Sequence, residues 1–261
     1  MVFEFTFILV ALMQVVGFFV QGTTGFGCTV IAAPVTNGLL GTATGVPYGT
    51  LITLPFLYYL AVKSFREVSW KDLLKIVLLC APGLFLGNYL FYKIDETTAR
   101  ISIGAMVTLI ALINIYKYII KPMVFKVQEQ EDAPDTVIAK VLRYGCLALG
   151  GVVHGAFNIG GPLITVYTIS AVKEKEKFRN TMNMVWVVLN TYNAFNQYRN
   201  GVLTPRLFSA LGFGLPMAAI GFFIGMAFLK KINREQFLRI VYIVLLFIGG
   251  DMLIRNLLTL L

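Results

Sequence analysis

Apolar segments follow one another almost without interruption along this chain, at about residues 5–21, 25–35, 46–62, 72–92, 99–119, 144–156, 160–172, 181–198, 207–229 and 236–257, parted only by short charged clusters. No water-soluble fold of 261 residues buries that much apolar surface. Helices in a bilayer do, because each satisfies its own backbone N–H and C=O groups. Charged residues make up 13% of the chain, against roughly 25% in soluble domains. The expected fold class is therefore an all-α polytopic membrane protein. The net charge of +9, which in a soluble protein suggests nucleic acid, belongs here to membrane topology.

Two of the apolar stretches are interrupted in the same way. Gly17–Phe18–Phe19–Val20–Gln21–Gly22–Thr23–Thr24–Gly25–Phe26–Gly27 overlays Gly150–Gly151–Val152–Val153–His154–Gly155–Ala156–Phe157–Asn158–Ile159–Gly160 at a shift of 133 residues, matching Gly17 with Gly150, Gln21 with His154, Gly22 with Gly155 and Gly27 with Gly160. Further along, Pro82 and Gly87 match Pro216 and Gly221 at a shift of 134, and Lys93–Ile94–Asp95 matches Lys231–Ile232–Asn233 at a shift of 138. The chain thus divides into a first membrane repeat, 1–120, a polar linker, 121–143, and a second membrane repeat, 144–261.

Charge decides how the repeats are oriented. If each interrupted segment enters and returns to the same side, each repeat is a re-entrant or broken helical hairpin plus three transmembrane helices, and the two repeats are inverted. Seventeen of the 22 basic residues then fall on one face, leaving Lys93, Arg100, Arg199, Arg206 and Arg255 on the other. Single crossings at the breaks divide the basic residues almost evenly, which the positive-inside rule disfavours. The 29 residues of 144–172 also fall short of the roughly 40 that two crossings need. Two half-length helices meeting at the glycines fit instead. In a plasma (inner) membrane both termini are then extracytoplasmic and the linker cytoplasmic, and no cleaved signal is expected.

Paired glycine-interrupted segments in two halves of a membrane chain point to a transporter's binding site. Irregular backbone survives in a bilayer only where protein or a watery cavity covers it. The second helix of each hairpin begins beside unpaired amides and the positive end of a dipole, which suits an anion. Candidate substrate-binding residues at the breaks are Gln21, Thr23, Thr24, Gly25, Gly27, Asn158, Gly160 and Gly161, with Pro162 suited to a first helical turn. His154, the single histidine, can donate to an anion or carry a proton. Asn183, Asn190 and Gln197, spaced by seven, share a helix face with Asn193 beside it. That face either lines a polar path or binds helices together, and a path is favoured because Leu51–Leu60 of the first repeat lacks such a stripe.

Gly83–Gly87, Gly151–Gly155 and Gly221–Gly225 have the spacing of close helix contacts. Asp251 and Arg255 stand at i and i+4 as an expected pair. Cys28, Cys80 and Cys146 are scattered and read as buried apolar thiols, with neither disulfide nor metal implied. Enzymatic function is not expected, since one histidine and no deep carboxylate pair offer little for catalysis.

The duplicated break, the Phe178–Arg179–Asn180–Thr181 entry into the amide-rich helix, Tyr198–Arg199–Asn200–Gly201 closing it, and the two Pro–x4–Gly pairs resemble the sulfite exporter TauE/SafE family along nearly the whole chain. That resemblance implies a membrane permease carrying sulfite or an organosulfonate such as sulfoacetate. Thr23–Thr24–Gly25–Phe26–Gly27–Cys28 stands where the family has a denser glycine run, which opens the way to a different or bulkier anion. The expected function is a secondary transporter, an exporter of a small anion working by alternating access, with a passive anion channel as the alternative. Expected partners are the anionic substrate and membrane lipid, with a homodimer left open and no nucleic acid or cofactor. Leucine at Gly27 or Gly160 is expected to abolish transport while leaving folding largely intact.

Overall fold

A computed structural model describes residues 4–90, 96–121 and 136–258. It contains ten α-helices among those residues and no strand. In the first half these are α1 (Phe5–Thr24), α2 (Cys28–Leu40), α3 (Thr42–Lys63), α4 (Trp70–Leu90) and α5 (Glu96–Ile115), the last continuing into a π-turn at Tyr116–Ile120. The second half has α6 (Val137–Phe157), α7 (Gly161–Ala171), α8 (Lys175–Arg199), α9 (Pro205–Lys231) and α10 (Arg234–Leu258). Six of them, α1, α3, α4, α6, α9 and α10, are long and apolar enough to cross a bilayer. The chain is an all-α, multi-pass membrane protein. Lys93–Ile94–Asp95 and most of the predicted linker lie outside the described residues.

Each half opens with a broken hairpin, but its arms are unequal. The long arms, α1 and α6, have 20 and 21 residues, about 30 Å of helix. The short arms, α2 and α7, have 13 and 11 residues. At 1.5 Å per residue those are roughly 20 and 16 Å, too short to span about 30 Å of hydrocarbon. The half-length expectation misses α6 because its helix begins seven residues ahead of the apolar run. Thr136 caps it by accepting from Ala139 N at 3.2 Å, so the first turns carry Lys140 and Arg143.

Small residues set the helix pairing, and they pair each long arm with the other half. A Cβ on Gly83 or Gly87 of α4 would meet the α6 backbone at Ala148–Val152 and Val152–Ala156, and one on Gly151 or Gly155 of α6 would meet α4 at Cys80 and Leu84. Likewise Gly221 and Gly225 of α9 press on Val15, Phe19 and Thr23 of α1, while Gly22 presses on Phe222 and Met226. Residue numbers rise together across both contacts, so α4 runs parallel to α6 and α1 parallel to α9. Gly155 against Leu84 corresponds to Gly22 against Phe222, a register of 138 between α4 and α9. In that register Pro82 and Pro216 are four positions out of step, and the matching of Pro–x4–Gly pairs gives way to matching of the packing glycines.

Helices α3 and α8 run the other way. Thr50, Thr53 and Leu57 of α3 meet Gln197, Asn190 and Asn183 of α8 in reverse order. The same opposition governs the hairpin mouths. Arg206 of α9 joins the mouth of α1–α2, holding Glu4 at 2.8 Å and Leu40 O at 3.2 Å. The mouth of α6–α7 lies at the other end of the bundle, where Tyr167 OH donates to Asp72 of α4 at 3.2 Å. Apolar residues such as Leu74, Leu78, Phe85 and Tyr89 stay exposed on α4.

Candidate functional site: a cavity between two hairpin tips

The two hairpins turn by the same device. Gly25 closes α1 and Asn158 closes α6, both left-handed at φ 84° and 58°. Gly25 N donates to Gln21 O at 2.8 Å and Asn158 N to His154 O at 2.9 Å. All four positions obey the 133-residue shift. Asparagine is the non-glycine residue best suited to that conformation, so the second tip keeps a polar side chain where the first has none.

The tips meet beside the middle of α8. Thr29 Oγ1 donates to Asn158 O at 3.1 Å, and Phe26 packs on Gly161. Between them a cavity of about 20 Å³ is lined by Gln21, Gly27, Cys28, Thr29, Val30, Thr53, His154, Asn158, Gly161, Trp186 and Asn190. Its size admits a water-sized guest, so an oxyanion requires side chains to move apart. Residues Cys28 to Val30 are the first turn of α2, whose amides have no intrahelical acceptor and no side-chain cap. A second cavity shares Cys28, Thr29 and Asn158 and runs between α2 and α3 past Thr36 to Asn37, toward the mouth of α1–α2.

Hydrogen bonds fix the wall opposite α2. His154 Nε2 lies 2.8 Å from Asn190 Oδ1, and Asn190 Nδ2 donates to Thr53 Oγ1 at 2.9 Å. In that chain Nε2 carries the imidazole proton and Nδ1 keeps a lone pair. His154 Nδ1 and Asn158 Nδ2 are buried without a partner among the described residues, an unusual cost inside a bilayer. Trp186 stacks on the His154 ring with centroids 5.0 Å apart and donates from Nε1 to Gly25 O at 2.8 Å, tying both tips to α8.

Of the residues singled out from sequence, the cavity gathers Gln21, Gly27, His154, Asn158, Gly161 and Asn190. The others are engaged elsewhere. Thr23 Oγ1 donates to Phe19 O and Gly225 O, facing α9. Thr24 Oγ1 bonds to Val20 O and Phe26 O, holding the turn. The carbonyl of Gly25 accepts from Gln21 and Trp186. Asn183 donates to Leu57 O. A Cβ on Gly160 would collide with Gly150 O and His154 Cβ, so leucine there forces the hairpin backbone to shift. At Gly27 the backbone itself, at φ 99°, excludes leucine without strain.

The amide stripe corrects the path reading. Asn183, Asn190 and Gln197 all donate to α3, and Asn88 joins α4 to α8 through Asn193 and Asn196. These amides bind helices together, with Asn190 alone of the stripe also facing the cavity. The first repeat needs no matching amides because α3 answers with carbonyls and threonine hydroxyls. Thr53 and Trp186 were therefore missed, although Trp186 stands between Asn183 and Asn190 on the same helix.

Among the described residues, apolar helices long enough to cross a bilayer, with a small cavity between two broken hairpins, define a polytopic membrane protein. Among the described residues no cluster of three or more His, Cys, Asp or Glu stands ready for a metal ion. A family model described as Sulfite exporter TauE/SafE matches residues 9–252 of the 261, and the chain belongs to that family. It is a family of membrane permeases that export sulfite and sulfonates. No curated relative and no solved structure matches the chain.

Proposed function

We propose that the chain is a secondary transporter that exports a small oxyanion, sulfite or an organosulfonate, by alternating access, and that it is not an enzyme. The observation that carries this reading is the cavity where the first turn of α2 faces His154, Asn158 and Asn190. Amides at a helix start and a favourable dipole end attract negative charge. Asn158 Nδ2 supplies a donor that has no partner among the described residues. His154 Nδ1 accepts a proton as the anion enters, so proton and anion each favour the other's binding. Trp186, stacked on the ring, favours the resulting cation.

Inverted repeats are the natural reading of antiparallel α3 and α8 and of hairpin mouths at opposite ends. Each mouth then offers one access route, and moving one repeat against the other exposes the cavity to one side at a time. A cavity of only about 20 Å³ favours a carrier over an open channel. The basic end, with the α6–α7 mouth, is cytoplasmic, and both termini are extracytoplasmic.

Sulfite flux into proteoliposomes tests this. Wild-type protein carries sulfite faster when an inward proton gradient is imposed, and His154→Gln removes the gradient's effect. Equal flux with and without the protein refutes the reading.

A further inference from the structure

Another, larger cavity lies at the mouth of the α6–α7 hairpin, away from the central site. It has a volume of about 240 Å³ and is shaped by the ends of three helices. Lys75 comes from α4, Lys140 and Arg143 from α6, and Ser170 from α7. Among the described residues these three cations share the space with one carboxylate, Asp72, which is itself engaged by Ser69 Oγ at 2.6 Å and by Tyr167 OH at 3.2 Å. Lys75 and Lys140 are exposed, and no ion pair holds either among the described residues.

Topology places basic residues at this face but does not by itself bring three of them to one cavity, and the dipole does not favour Lys140. Lys75 sits in the second turn of α4, Lys140 in the first of α6 and Arg143 in the second. Cations near a helix N-terminus oppose its dipole, whereas a bound anion gains from the dipole and the cations together. Lys140 and Arg143 are three apart and share a helix face. The opposite mouth is built differently. There the cation, Arg206, is consumed by Glu4 and by Leu40 O. Among the described residues, one mouth pairs its cation internally, and the other gathers three cations around one carboxylate.

We infer that the cavity at the α6–α7 mouth is an oxyanion site, distinct from the central cavity, which concentrates the anion at one face before it enters the bundle. Its ligand class rests on the oxyanion reading above. Tyr167 and Ser170 lie on α7, the arm that leads to Gly161 in the central cavity, about 15 Å of helix away. An anion held by cations in open solvent is held loosely, and a loose outer site raises local concentration without trapping the substrate. A phospholipid headgroup presents the same oxyanion chemistry at this depth, and the test separates the two sources.

Ala171→Cys, which lines this cavity, accepts a fluorophore while Cys28, Cys80 and Cys146 are buried. The labelled protein is titrated with sulfite in nanodiscs of phosphatidylcholine, with chloride at equal ionic strength as control. A saturable change is expected that Lys140→Gln with Arg143→Gln weakens about tenfold and that high salt abolishes, while His154→Gln leaves it intact. A shift seen only on adding phosphatidylglycerol, and lost in the double variant, also supports the site and names the lipid headgroup as its occupant. No response to either ligand, or a response unchanged in the double variant, overturns it. Sulfite flux measured on the same preparation separates the two readings. A titrating label without flux fails the transport proposal, and flux with a silent label fails this one.

Discussion

Gly25 and Asn158 hold the same place in two hairpins, each ending a long helix in the left-handed conformation, at φ 84° and 58°. A turn needs this backbone geometry but not an amide side chain. Asn158→Gly therefore keeps the turn, and Asn158→Ala strains it by about 1–2 kcal/mol. Thermal melting is expected to separate the two variants in that order, while both lose sulfite flux because both lack Nδ2. Full flux in Asn158→Gly removes the side chain from the site.

Helix contact makes a second prediction with its own control. Gly155 lies against the backbone of Leu84, whereas a Cβ on Gly145 meets nothing within 4 Å. Gly155→Val forces α4 and α6 apart and costs roughly 1–3 kcal/mol. Gly145→Val leaves the melting temperature unchanged within error. Equal melting of both variants contradicts the packing described for α4 and α6.

Trp186→Phe keeps a ring over His154 and removes the donor to Gly25 O. Loss of one buried hydrogen bond costs about 0.5–1.5 kcal/mol, more if the carbonyl stays dry. Maximal sulfite flux is expected to fall, since the first tip is no longer tied to α8. Unchanged stability and flux together would show the bond to be idle.

The Glu4–Arg206 pair sets a pH dependence at the α1–α2 mouth. The hydrogen bond from Arg206 holds the Glu4 carboxyl below its ordinary range. A depressed folded-state value means stability present above the unfolded value and lost as pH falls through the folded one. Both side chains are part-exposed, so the effect is small. Wild type is expected to melt slightly above Arg206→Gln at pH 7, with the gap closing below about pH 4. A gap that widens in acid contradicts the pairing.

Much of this was legible in the sequence because membrane helices announce themselves by length and apolarity, and because the tips repeat at a fixed shift. Gln21 and His154 were aligned from residues alone, the same shift relates Gly25 to Asn158 in the structure, and the cavity includes Gln21, His154 and Asn158. Side-chain direction was not legible. Thr23 and Thr24 turn their hydroxyls to backbone carbonyls, a local choice that threonine makes in any helix and that spacing does not reveal. Nor did the amide stripe disclose its acceptors, since backbone carbonyls such as Leu57 O carry no sequence signature. The early start of α6 was hidden by Lys140 and Arg143, which interrupt hydropathy but not the helix.

The most direct measurement is a map of the protein bound to selenite, whose selenium marks a pyramidal oxyanion shaped like sulfite. The account predicts selenium density between the first turn of α2, at Cys28–Val30, and the side chains of His154 and Asn158. Protein that transports selenite yet shows no density there, with the anion seated elsewhere in the bundle, would contradict it.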